Sequence, residues 1–128
     1  GEYAMTKPSR VMVIDNNAEH RETLCILLSH AGVSADAFER ATDALAVLER
    51  DQEFDLIMSD VAMPEMDGIE FSRQSRRLCP DIPIVLMTGR DSRMEAALEE
   101  GTVPLIKPYT VEALNAVLAE YLDVRLKD

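Results

Sequence analysis

Five times along the chain a short apolar run stops at a polar residue and gives way to a stretch whose apolar residues recur at helical spacing. A continuous apolar run fits a strand covered on both faces, and the helical spacing fits a helix with one face inward. The runs are Val11-Met12-Val13-Ile14, the weaker Ser34 to Phe38, Leu56-Ile57-Met58-Ser59, Pro83-Ile84-Val85-Leu86-Met87 and Val103-Pro104-Leu105-Ile106. Helices are expected from Ala18 to Ala31, from about Ala41 to Leu48, over Gly68 to Leu78, over Ser92 to Glu100 and from Thr110 onward. Strict alternation of this kind implies βαβ units, hence a parallel sheet with helices on both faces. The expected fold is therefore α/β: a five-stranded, doubly wound (βα)5 sheet in a three-layer sandwich. The small, mixed residues of Ser34 to Phe38 place that strand near an edge.

The helical stripes name the expected core. They are Leu24, Leu27, Leu28 and Ala31; Ala41, Ala44, Leu45 and Leu48; Ile69, Phe71 and Leu78; and Val111, Leu114, Val117, Leu118, Tyr121 and Leu122. Arg73, Arg76 and Arg77 fall mostly outward, while Ser75 falls where an apolar residue is expected. Gly32 suits the position just past a helix end, and Thr110 suits a helix N-cap.

A chain of 128 residues fits one domain, read here as 9–124 with short tails at 1–8 and 125–128. Gly1-Glu2-Tyr3-Ala4, ahead of Met5, reads as an added tail rather than part of the fold. A formal charge of −11 argues against a domain that grips nucleic acid itself. No apolar run approaches the roughly 20 residues of a membrane span, and no secretory signal is visible. Cys25 and Cys79 show no metal or disulfide spacing and read as reduced structural thiols. A cytoplasmic protein with no membrane contact is expected.

In an open parallel sheet the functional crevice lies beyond the carboxyl ends of the strands. The first polar groups there are Asp15 and Asn16 after the first strand, Asp60 after the third, Thr88 after the fourth and Lys107 after the fifth. One rim would then hold two carboxylates, a hydroxyl and an ammonium. Carboxylate and carbonyl oxygens suit a hard cation such as Mg²⁺. An aspartate can serve as nucleophile and form an aspartyl phosphate, a lysine supplies a point charge to phosphate oxygens, and a threonine hydroxyl can donate to one. Each residue also has an ordinary structural reading, Asp15 as a helix cap for instance; their joint placement favours the chemical one. His20 and His30, both on the first helix, read as surface residues.

Val11-Met12-Val13-Ile14-Asp15-Asn16-Asn17, Ser59-Asp60-Val61-Ala62-Met63-Pro64-Glu65-Met66-Asp67-Gly68, Met87-Thr88-Gly89 and Ile106-Lys107-Pro108-Tyr109 together resemble the bacterial receiver domains of two-component signalling. The likeness runs from Val11 to Leu122. It implies a flavodoxin-like, CheY-like fold and a phosphoryl group received from a sensor histidine kinase or a histidine phosphotransfer protein. It makes Asp60 the phosphoacceptor. It also makes Asp15, Asn16, Asp60 and the Ala62 backbone carbonyl the Mg²⁺ ligands, and sets Thr88 and Lys107 against the phosphoryl oxygens. A receiver is not an enzyme in the ordinary sense, since it catalyses only its own phosphorylation and dephosphorylation. An output domain or target protein would read the change on the surface of the fourth helix, fifth strand and fifth helix.

Two positions depart from the family. Asn16 stands where a second acid is usual, which should weaken metal binding. Pro104 stands three residues before the lysine, where an aromatic switch residue is usual, in a loop that looks a residue short. A proline neither swings into a pocket nor donates to a strand. These departures leave a second reading, a phosphorylation-independent interaction module. A haloacid dehalogenase type of phosphatase would need an acid at Ala62, and a flavodoxin-like flavin site would need a Ser/Thr-rich loop in place of Asn16-Asn17-Ala18.

Overall fold

The computed structural model describes residues 7–89, 93–101 and 104–126. Its elements run β1 (Arg10–Ile14), α1 (Ala18–His30), β2 (Ser34–Phe38), α2 (Ala41–Leu48), β3 (Leu56–Asp60), α3 (Gly68–Leu78), β4 (Ile84–Thr88), α4 (Arg93–Glu99), β5 (Leu105–Ile106) and α5 (Val111–Leu122). All strands pair in parallel, in the order β2-β1-β3-β4-β5. The weak Ser34–Phe38 segment is an edge strand, as its composition suggested. Ser92 and Val103, expected to open α4 and the fifth strand, lie outside the described residues.

Alternation along each strand divides the core in two. Val11, Val13, Leu56, Met58, Val85 and Met87 face α1 and α5, against Leu24, Leu28, Leu114, Val117 and Leu118. Met12, Ile14, Ile57, Ile84 and Leu86 face the other way, against Leu45 and Leu48 of α2, Phe71 of α3 and Ala97 of α4. Such two-sided burial explains why the β1, β3 and β4 runs carry apolar residues without a polar face.

The helix ends follow local chemistry. Thr110 caps α5, its hydroxyl accepting from the Ala113 N–H at 3.0 Å. Asp67 caps α3 through the Glu70 N–H at 2.9 Å, and Asn17, not Asp15, caps α1 through the His20 N–H at 3.0 Å. Gly32 follows α1 at φ +78°, a left-handed position that favours glycine. Beyond α5 the chain folds back: the Leu126 N–H donates to Asn115 Oδ1 at 2.6 Å, and Leu126 is buried in the α1–α5 core.

Two expected core positions are corrected. Leu78 is 37% exposed and Val111 is 53% exposed. Leu78 is the last residue of α3 and Val111 the first of α5, so both overhang the layer that the middle turns cover. Ser75 does face inward and is fully buried, with an Oγ that finds no hydrogen-bond partner among the described residues.

Candidate functional site at the carboxyl ends of the strands

Parallel pairing carries the strand ends to one rim, and four of the expected residues meet there. Asp15 is 1% exposed, Asp60 9% and Thr88 4%. The ammonium of Lys107 donates to Asp15 Oδ2 at 2.7 Å and lies 3.7 Å from Asp60 Oδ1. Since one nitrogen reaches both carboxylates, they face a single small volume. Thr88 joins through the backbone, its carbonyl accepting from the Lys107 N–H at 2.8 Å. Asn16 and Ala62 follow Asp15 and Asp60 in the chain, in turns that leave both residues exposed.

The supports of each residue are local. Asp15 Oδ1 accepts from the Asn17 N–H at 2.9 Å, and its carbonyl accepts from Arg21 Nη1 at 2.7 Å. The start of α1 thereby locks the first carboxylate. Asp60 ends β3, and the chain turns so tightly after it that α3 begins against its own carbonyl. A Cβ built on Gly68 would come within 2.2 Å of the Asp60 oxygen. Only glycine allows that approach. The Gly68 N–H also donates to the Val61 carbonyl at 2.9 Å, closing the loop. Glu65, in the same loop, takes φ +70°.

Burial is the main influence on Asp60 and pushes its carboxyl above the usual carboxylate range. Lys107 pulls the other way, Asp15 adds to the rise, and the Val61 N–H opposes it. The result is a carboxylate short of compensation: near a cation, without a hydrogen bond from it, beside a second acid. Tyr109 is also pushed upward, by burial and then by Asp15.

The donors fit a hard cation. Asp15, Asp60, the Asn16 amide and the Ala62 carbonyl offer oxygen only, which suits Mg²⁺ better than a metal that prefers nitrogen or sulfur. Among the described residues no three His, Cys, Asp or Glu side chains gather to hold a metal.

One residue enters the site that the sequence alone did not point to. His20, read as a surface residue, is exposed but turns its Nδ1 to 3.2 Å from Lys107 Nζ. Arg93, at the start of α4, pairs with Asp67, the residue that caps α3. The spacing of His20 and Lys107, 87 residues apart, carries no signal in one sequence. The Pro104 position is described, half-buried just before β5.

A five-stranded doubly wound sheet with an aspartate at the end of β3, flanked by an acid and a lysine, defines a class, and sequence comparison agrees. The model of the response regulator receiver domain matches residues 11–119, and the chain belongs to that family. It is similar to the response regulator MprA of Mycolicibacterium vanbaalenii, with 37% identity over 112 residues that cover 85% of this chain and 48% of that protein. The chain thus spans about half the length of the curated relatives it matches. Among solved structures it is similar to the chemotaxis response regulator CheY4 of Vibrio cholerae, at TM-score 0.80 and 28% identity over 90% of this chain and 99% of that one. A structure described as an adenylate cyclase from Rhodopirellula baltica matches at TM-score 0.81 and 27% identity, covering 91% of this chain and 88% of that one. No helix among the described residues is long and apolar enough to cross a membrane.

Proposed function

We propose that Asp60 accepts a phosphoryl group from a phosphohistidine on a sensor kinase or phosphotransfer protein. The observation that carries this reading is the single ammonium of Lys107 set between Asp15 and Asp60. An Asp60 carboxylate oxygen attacks phosphorus, an O–P bond forms, and the N–P bond of the donor breaks with its electron pair returning to the donor imidazole. Lys107 supplies a positive charge to the transferring group and the Thr88 hydroxyl a hydrogen bond. Asp15, Asn16, Asp60 and the Ala62 carbonyl would hold Mg²⁺, which when bound neutralises charge on the phosphoryl oxygens.

The phosphoryl group adds about −1.5 to −2 charges at the rim. Its readout is proposed to run to α4, β5 and α5, with an output domain or target protein as the reader, in the cytoplasm. Pro104 cannot act as a swinging aromatic. Tyr109 lines both the hollow beside Lys107 and the groove between β5 and α5, and so borders the site and the reading surface alike. On this reading the receiver domain catalyses only its own phosphorylation and dephosphorylation.

Intact mass after incubation with Mg²⁺ and acetyl phosphate tests the reading. One added phosphate is expected on the wild type and none on Asp60→Ala. Asn16 and Pro104 favour a second reading, a phosphorylation-independent interaction module. That reading takes over if a panel of histidine-phosphorylated donors also leaves Asp60 unmodified.

A further inference from the structure

An ammonium has three N–H donors and no lone pair, so every group that Lys107 bonds must accept. Asp15 Oδ2 takes one donor at 2.7 Å. Asp60 Oδ1, at 3.7 Å, is beyond hydrogen-bond distance. The second partner is the His20 ring, with Nδ1 at 3.2 Å. A protonated Nδ1 there would turn hydrogen against hydrogen, so the contact requires the lone pair on Nδ1 and, in the neutral ring, the proton on Nε2. Thr23 and Tyr109 line the same hollow of about 460 Å³, yet the imidazole nitrogen is the group beside the ammonium.

The ring is aimed by the same turn that locks Asp15. The Asn17 N–H donates to Asp15 Oδ1 at 2.9 Å, and Asn17 Oδ1 accepts from the His20 N–H at 3.0 Å. Asp15, Asn17 and His20 are therefore one connected capping structure, and both acceptors of Lys107 belong to it. Asp60 belongs to a different strand. The lysine in this arrangement sits on the α1 side of the pocket.

We infer that His20 is a positioning residue. Through Nδ1 it holds the Lys107 ammonium with Asp15 and short of Asp60. The functional consequence rests on the phosphoacceptor reading above. A phosphoryl group on Asp60 draws the lysine across the pocket, and His20 competes for the same ammonium in the unmodified protein. His20 thus weights the equilibrium toward the unphosphorylated form.

The direct test is long-range proton–nitrogen NMR of the imidazole rings. The chain has two histidines, His20 and His30, and His30→Gln assigns the signals. The neutral His20 ring is expected with its proton on Nε2 and an acceptor-type Nδ1, a preference that Lys107→Met removes. A proton on Nδ1 in the wild type, or a tautomer ratio indifferent to Lys107→Met, overturns the assignment. The wild-type spectrum alone decides the first point, even if the lysine variant does not fold.

The second arm compares His20→Leu with His20→Asn at steady state with acetyl phosphate and Mg²⁺, read by intact mass. Losing one hydrogen bond of ordinary strength corresponds to a shift of about three- to tenfold. The phosphorylated-to-unphosphorylated ratio is expected to rise by that factor in His20→Leu and to return near wild type in His20→Asn, whose amide oxygen also accepts. Equal behaviour of the two variants overturns the positioning role. The NMR arm needs no phosphoryl transfer. An Nδ1 acceptor with no phosphorylation from any donor sinks the proposed function, whereas phosphorylation with an Nδ1-protonated ring sinks only the role of His20.

Discussion

The two ends of the sheet each hold one cation among carboxylates, and they hold it differently. At the amino end of β1, Arg10 reaches Asp36 at 2.7 Å and Asp51 at 2.9 Å, while its guanidinium carbon lies 4.1 Å from the centre of the Phe54 ring. Its own backbone N–H donates to Asp55 at 2.8 Å. A planar fork with an acceptor on each side and an aromatic floor is satisfied where it stands. The Glu53 backbone N–H and then Arg10 hold the Asp51 carboxyl below its usual range. At the carboxyl end Lys107 is a compact point charge with one short bond, to Asp15, and Asp60 is pushed upward. Similar charges thus build a staple at one end and an under-compensated carboxylate at the other. The difference lies in burial and in fork against point charge, not in which residues carry charge.

The largest expected effect separates the two ends outright. Asp60→Asn should abolish phosphate incorporation, while Asp51→Asn should leave it at the wild-type level, both read by intact mass. If Asp51→Asn also abolished it, the amino end would have to be part of the site.

Next comes Gly68→Ala, which sets a methyl against the Asp60 carbonyl. Overpacking of this sort costs about 1–3 kcal/mol, so urea unfolding should show a loss of that size together with slower phosphorylation. An unchanged midpoint would mean that the loop yields and that the carboxyl end of β3 is soft.

A smaller effect is a gain in stability. The folded-state value of Asp60 lies above the unfolded one, so folding disfavours its ionised form. The cost is fully present above the folded value and disappears as pH falls through it toward the unfolded value of about 4. Asp60→Asn should therefore raise Tm at neutral pH without divalent cations, with an advantage that fades in acid. A lower Tm at neutral pH would show that Lys107 compensates the charge after all.

The smallest effect belongs to the staple. Arg10→Met should lower Tm by a few degrees, with a difference that narrows at high salt. Phosphorylation should not change.

Much of this was open to a reader of the sequence, and the limits have physical causes. Doubly buried strands must be apolar throughout, so β1, β3 and β4 announce themselves, and parallel topology then brings Asp15, Asp60, Thr88 and Lys107 to one rim. The weak β2 could still be placed at an edge. What escaped depends on contacts that periodicity does not encode. Leu78 and Val111 obey the helical stripe and are still exposed, because helix ends overhang the sheet. The Arg10 network joins residues 26 and 41 positions apart. His20 looks like any polar residue on a helix surface until the fold brings Lys107 beside it. Pro104 was visible from the start as a departure, while the place of Tyr109 between the two hollows needed the structure.

The two outer strands have a consequence for the protein in concentrated solution. An unpaired strand edge is a template on which another chain can add. Here β2 carries Asp36 at its centre, tied back to Arg10, and β5 has only two residues, with Pro104 lacking an N–H just before it. Among the described residues β2 is five residues long with an acid at its centre and β5 two residues long, so each border is a short and interrupted template for a foreign strand. Crowding should therefore leave the protein free of sheet-to-sheet sticking, and its encounters with other molecules fall to the helices and loops.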